Sequence, residues 1–317
     1  MDIDDLDRQL IHALQLDGRA PFSLIAEVLG VSDQTVARRY RRLRSADLLR
    51  VVAVPPAGYL AHGRWMLRLR CAPGAADTVA AALARRPDTA WVLTASAGTE
   101  VQCITRARTP DEADLQLPRS SRILDVSAYS VLHVFYGSPS PVRRLDALTP
   151  AQVAQLRPAV VPPLDPADIP QCGPEDRPLL DVLARDGRTG VPELAAATGW
   201  SASTVRRRVD HLRTIGALHF YAEFDLRLAG LDHGTRLWLS VAPSELDAAG
   251  RALAAHPEVG FAAATSGPVN LVASVLCRDA HDAYRYLTDR VAALPGVARV
   301  ETTPVTRYLK RLGRLLR

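Results

Sequence analysis

Between Ser32 and Arg44 the chain reads Ser-Asp-Gln-Thr-Val-Ala-Arg-Arg-Tyr-Arg-Arg-Leu-Arg, with arginine at five of the last seven positions. Guanidinium groups fork onto phosphate oxygens and onto the guanine edge, and a side-chain amide such as Gln34 pairs with adenine. In a helix, at about 100° per residue, Gln34, Arg38, Arg41 and Arg42 share one face with Arg39 and Arg44 on its flanks. Val36, Tyr40 and Leu43 fall on the opposite face at i, i+4, i+7 and are expected to pack inward. Ser32 and Thr35 stand at the start, where hydroxyls cap a helix and reach a phosphate. The chemistry on offer is recognition of double-stranded DNA, against the plainer reading of a solvated basic face.

An internal repeat decides between those readings. Residues 7–50 set against 176–219, an offset of 169, are identical at 17 of 44 positions, where chance gives about three. Asp17-Gly18-Arg19 recurs as Asp186-Gly187-Arg188, and the arginine-rich run recurs as Ser201, Ser203, Thr204, Arg206, Arg207 and Arg208 over inward-facing Val205, Val209 and Leu212. Asp210 and His211 replace Arg41 and Arg42. The two copies are therefore expected to read different bases, with the first holding phosphate more tightly.

These residues need a scaffold, and the flanking pattern supplies one. Leu6, Leu10 and Leu14 repeat every four residues up to the Asp17-Gly18 stop, Phe22–Leu29 forms a second helix closed by Gly30, and Ser32 opens the third. That is helix-turn-helix spacing, found in both copies. About 90 residues of short apolar strands and two helical stretches follow each copy. In the second these are Arg236–Val241, Ser244–Ala255, Val259–Thr265, Asn270–Leu276, Ala280–Ala293 and Val297–Thr302, the order βαββαβ of a ferredoxin-like sandwich. The first copy matches through Trp65–Arg70, Asp77–Arg85, Trp91–Ala95, Glu100–Arg106 and Val126–Val134, with a shorter second helix near 111–122 interrupted by Pro118. The predicted class is α+β. Winged helix-turn-helix domains span 1–55 and 175–224, ferredoxin-like domains span 60–137 and 233–310, and a proline-rich, semi-rigid linker spans 138–174.

Composition narrows the alternatives. The 317 residues carry a formal charge of +5 and a pI near 9.3, mildly in favour of an anionic partner. Cys71, Cys103, Cys172 and Cys277 are scattered, with neither paired spacing nor adjacent histidines, so no disulfide framework, metal site or cofactor is expected. The acidic start lacks a signal-peptide pattern and no long apolar run occurs, so a soluble, cytoplasmic protein is expected.

The run Leu6-Asp7-Arg8 through Asp17-Gly18-Arg19, then Ser32, Arg38-Arg39 and Leu43, repeated from Glu175-Asp176-Arg177 to Leu212, resembles the opening domain of the leucine-responsive/asparagine-synthesis regulator (Lrp/AsnC) family. Thr265-Ser266-Gly267-Pro268-Val269-Asn270 resembles its effector-domain turn, and Leu294-Pro295-Gly296-Val297 with Glu301-Thr302 resembles its last strand. The resemblance implies a DNA-binding transcriptional regulator that self-associates through its sheet domains and binds a small effector of the amino-acid class. Thr265, Ser266, Gly267, Val269 and Asn270 are the implied effector residues. Asn270 departs from the family's usual aspartate, and Ala97-Gly98-Thr99-Glu100 replaces the glycine turn in the first copy. With both units in one chain, a pseudo-dimer is expected.

Relatives of this fold pair also include decarboxylases of a haem precursor (the siroheme type). Candidate residues for such chemistry are His62, Trp65, His133, His233 and Trp238, which form no motif. No nucleophile, carboxylate pair or metal cluster accompanies them, so an enzyme is not expected.

Overall fold

The computed structural model describes residues 3–54, 64–106, 121–137, 145–156, 172–311 and 314–315. The chain divides into two compact units, and each draws on both copies of the repeat. One holds the two helix-turn-helix domains and the other holds the two sheet domains.

In the first unit, helices α1 (Asp5–Leu16), α2 (Phe22–Leu29) and α3 (Asp33–Ser45) are followed by strand β1 (Leu49–Val54). Asp4 caps α1 and exchanges backbone hydrogen bonds with Asp7, so two otherwise orphaned amides are satisfied at its start. Gly30 ends α2 at φ +66°, a left-handed position that glycine occupies without cost, and Gly199 repeats it at φ +73°. The second copy supplies α6 (Arg177–Arg185), α7 (Val191–Thr198), α8 (Ala202–Thr214) and β6 (His219–Phe224). Its buried core of Leu179, Leu183, Leu194, Val205, Val209 and Leu212 takes in Ala53 of the first copy. Within 138–174, read as a semi-rigid linker, residues 145–156 pack on the first copy. Helix α5 (Pro150–Leu156) buries Leu156 behind the buried Leu145 and Leu148, and Gln152 Nε2 donates to the Val28 carbonyl at 3.0 Å.

Strands β1 and β6 are the wings of the two copies, and each completes the other. They pair antiparallel from Leu49↔Phe224 to Val54↔His219, and Val52 lies opposite Tyr221, its own counterpart at the repeat offset of 169. The ladder is thus centred on a local two-fold axis. Around it Arg19 donates to the Gly187 and Thr189 carbonyls (2.9 and 3.3 Å), while Arg188 donates to those of Gly18 and Ala20 (2.7 and 3.0 Å). Asp17 pairs with Arg213 at 2.9 Å, and Asp186 pairs with Arg44 at 2.7 Å. Each of these bonds has its mirror 169 positions along. A Cβ on Gly18 would lie 2.9 Å from Val51 Cγ1 and 3.1 Å from Phe220 Cβ, so the backbones approach too closely for alanine.

The second unit contains β2 (Arg64–Cys71), α4 (Ala76–Arg85), β3 (Thr89–Ala95), β4 (Glu100–Arg106) and β5 (Ile123–Gly137). The second copy adds β7 (His233–Val241), α9 (Leu246–Ala255), β8 (Val259–Thr265), β9 (Leu271–Cys277), α10 (Ala280–Arg285, continued by a π turn over Tyr286–Val291) and β10 (Val297–Arg311). The helix expected near 111–122 lies almost entirely outside the described residues. β5 and β10 are each 15 residues long, about 50 Å at 3.3 Å per residue. The first half of each pairs at home, β5 with β2 and β10 with β7; the second half crosses over, β5 to β8 and β10 to β3. The eight strands close in the order β10-β3-β4-β2-β5-β8-β9-β7 and back to β10, with the short β11 (Arg314–Leu315) appended. Closure removes the free edges that two separate sheets would present.

Each copy keeps a helix-side core, Leu67, Leu69, Val79, Leu83 and Val101 in the first and Leu237, Leu239, Leu253, Leu271 and Tyr286 in the second. Between the two copies lies a third cluster of Met66, Ile104 and Tyr129 with Trp238 and Val272. Trp238 is fully buried, its ring 5.4 Å from that of Tyr129 and its Nε1–H donating to Thr303 Oγ1 at 3.1 Å. The sheet face expected to pair with a neighbour therefore pairs with the other copy of the same chain.

Candidate nucleic-acid interface

Ser32 and Ser201 each accept the backbone N–H three residues on, from Thr35 and Thr204, both at 3.2 Å, and fix where α3 and α8 begin. Val36, Tyr40 and Leu43 are buried, as are Val205, Val209 and Leu212, so the opposite faces are held outward. Gln34, Arg38, Arg41 and Arg42 on α3, and Ser203, Arg206 and Arg207 on α8, are exposed.

The arginines divide into two groups. Arg39 Nη1 bonds to Asp4 at 2.7 Å and to Asp7 at 3.0 Å, and Arg42 also pairs with Asp7, a carboxylate with no exposed surface. In the second copy Arg208 grips buried Asp176 through Nε and Nη2, both at 2.7 Å, and reaches Glu175 at 3.3 Å. These arginines tie the recognition helix to the first helix of its own domain. The Arg39 hydrogen bond holds the Asp4 carboxyl below the usual range. Burial would raise Asp176, but Arg208 and the Gly173 N–H outweigh it and hold it low. Arg44 is committed to Asp186. Arg38, Arg206 and Arg207 have no ion-pair partner among the described residues, and Arg41 donates only to the Ala37 carbonyl of its own helix, at 3.3 Å.

Five arginines in seven residues thus reduce to two uncommitted ones on α3, and α8 carries two as well. On α3 Arg39, Arg42 and Arg44 already hold carboxylates. Residue spacing could not reveal that, since Asp4, Asp7 and Asp186 lie on other helices or in the other copy. Asp17, Gly18 and Arg19, read only as a helix stop, prove to be the clasp between copies. Their identity in both copies was the available signal.

The turn Thr265–Asn270 joins β8 to β9. Gly267 has φ +97°, and a Cβ there would lie 3.0 Å from the Tyr129 ring. Ser266 Oγ accepts the Ser130 N–H at 2.8 Å, and Thr265 Oγ1 donates to the Val269 carbonyl at 2.9 Å. Asn270 clamps the Val241 backbone, accepting its N–H at 2.9 Å and donating to its carbonyl at 2.8 Å. The side-chain polar groups of the turn therefore hold strands together. In the first copy Ser96, Ala97 and Gly98 are left-handed at φ +49°, +54° and +80°, a tighter turn over the same connection.

Residues weighed for haem-precursor chemistry are dispersed. Trp65 packs on the helix-side core of the first copy, Trp238 is sealed between the copies, His133 is exposed edge-on to Phe135, and His62 lies outside the described residues. Burial pushes the Cys103 thiol up to about 12, out of nucleophilic range at neutral pH. Among the described residues no helix is long and apolar enough to cross a membrane.

Comparison with known proteins matches residues 3–44 and 176–213 to the AsnC-type helix-turn-helix domain, and residues 237–315 to the Lrp/AsnC ligand binding domain. An uncharacterized HTH-type transcriptional regulator of Pyrococcus abyssi is 27% identical over 135 residues, 42% of this chain and 85% of that protein. HTH-type transcriptional regulator FL11 of Pyrococcus horikoshii is 24% identical over 140 residues, 44% of this chain and 92% of that protein. Among solved structures, the siroheme decarboxylase NirDL shares the fold over 98% of this chain and 94% of its own, with a TM-score of 0.61 and 12% identity.

Proposed function

From the premise that this chain carries the helix-turn-helix and ligand-binding domains of the Lrp/AsnC family, we propose that it is a sequence-specific transcriptional regulator acting as a built-in pseudo-dimer. One observation carries the reading: two AsnC-type recognition helices, each with uncommitted outward arginines, are joined by a wing ladder centred on Val52 and Tyr221. That is the symmetry with which a dimer addresses paired half-sites. A mobility shift with the DNA upstream of its own gene tests it. Binding should occur at low salt and weaken steeply as salt rises, and absence of any shift at low salt overturns the reading.

The proposal extends to a small effector of the amino-acid class, supported by the ligand-binding match over 237–315, which contains the Thr265–Asn270 turn. Screening amino acids by thermal shift should find one that raises the melting temperature in proportion to the logarithm of its concentration above Kd. A flat response to all of them removes the effector.

A second reading, a tetrapyrrole decarboxylase, is favoured by the likeness to NirDL across both copies, which concerns the fold alone. We read the chain as non-catalytic because, among the described residues, the candidate histidines and tryptophans fall in separate places. Adding an iron tetrapyrrole should leave the visible spectrum that of the free compound, whereas a shifted Soret band favours the enzyme.

A further inference from the structure

We infer that the chain reads an operator of two inverted half-sites that differ in sequence while being held with similar electrostatic strength. The inference rests on the DNA-binding reading and specifies its target. The orientation comes from the backbone. The β1–β6 register places counterparts Val52 and Tyr221 opposite each other, and the Arg19 and Arg188 bonds repeat about the same axis. The two helix-turn-helix domains are therefore related by a two-fold rotation, and half-sites under a two-fold pair run in opposite directions.

The difference in sequence comes from the exposed faces. Gln34, whose amide suits adenine, faces outward on α3, whereas its counterpart Ser203 carries a short hydroxyl bonded to Ser201 at 2.9 Å. Arg41, suited to guanine, has Asp210 as its counterpart, an acceptor suited to the cytosine amino group. The surroundings differ too. Beside α8 a hollow of about 440 Å³ is lined by Glu175, Trp200, Thr204, Arg207, Arg208 and His211, and at the corresponding place on α3 Arg42 is bonded to Asp7. The similar grip follows from the two uncommitted arginines on each helix, Arg38 with Arg41 and Arg206 with Arg207.

Selection of bound duplexes from a randomised library by the full chain tests this. The expected motif is inverted, with unlike bases at the symmetry-related positions, and restoring the symmetric base on one side should weaken binding about tenfold. A perfect palindrome or a direct repeat overturns the inference. A variant carrying Ser203→Gln, Arg206→Ala, Asp210→Arg and His211→Arg gives α8 the residues that α3 carries at 34, 37, 41 and 42, and it should shift selection to the palindrome. If its motif stays that of the natural chain, the inference also fails. No binding of any duplex at low salt would instead remove the regulatory reading itself.

Discussion

Asp7 and Asp176 have no exposed surface, yet each faces an arginine that reaches solvent, so each works as an internal anchor for a surface cation. Such charge-assisted bonds are worth more than an exposed pair because the carboxylate is shielded from water and salt. For Asp176 the low folded-state pKa sets the sign of its pH dependence. A carboxyl held below its unfolded value of 3.8 contributes stability that is complete above that value and is lost as pH falls through the folded pKa. Asp176→Asn should therefore melt below the natural protein at pH 7, by about 1.5–3 kcal/mol. The two should converge as pH falls through the lowered folded-state pKa, and a difference that persists in more acid solution would assign the loss to packing instead. Gly18 and Gly187 are constrained by space at the crossing of the wings, where Val51 leaves no room for a Cβ on either residue.

Along a recognition helix, the division between committed and uncommitted arginines separates two measurements that composition would merge. Arg38→Ala and Arg207→Ala should each lower DNA affinity, leave the melting temperature nearly unchanged and reduce the salt slope by about one unit. Arg39→Ala and Arg208→Ala should lower thermal stability and alter the salt slope less, because they release Asp7 and Asp176 rather than a phosphate. Titrations at several salt concentrations beside melting curves distinguish the pairs, and equal salt slopes for all four would show that the ion pairs open on DNA. Ser32 and Ser201 belong to the same scale, since each sets the first turn from which these side chains project.

At the scale of the whole molecule, neither compact unit belongs to one copy of the repeat. β5 and β10 exchange their second halves, and Met66, Ile104 and Tyr129 need Trp238 and Val272 to be buried. A fragment spanning residues 1–137 would expose that inner face and leave the second half of β5 without β8. It should associate with itself, using one copy in place of the other, and light scattering should give at least a dimer. A folded monomer with a cooperative melt would contradict the interdependence of the copies. An apolar face of this kind is stable only when covered, and fusion guarantees its partner at high effective concentration.

The sequence alone determined the repeat, the three-helix spacing, the strand order and the inward positions of α3 and α8, because all of these are local periodicities of 3.6 or 2 residues, or matches at a fixed offset. It also marked Ser32 and Ser201 as caps, since capping joins residues three apart. It could not show which of Arg38, Arg39, Arg41, Arg42 and Arg44 were uncommitted, because their carboxylate partners lie up to 142 positions away, as with Arg44 and Asp186. Nor could it place the two-fold axis at Val52 and Tyr221, or send the second halves of β5 and β10 into the other copy. Periodicity shows which face of a strand is apolar but not which distant strand will lie beside it. That choice is made by closing a sheet without free edges, and only the assembled chain can make it.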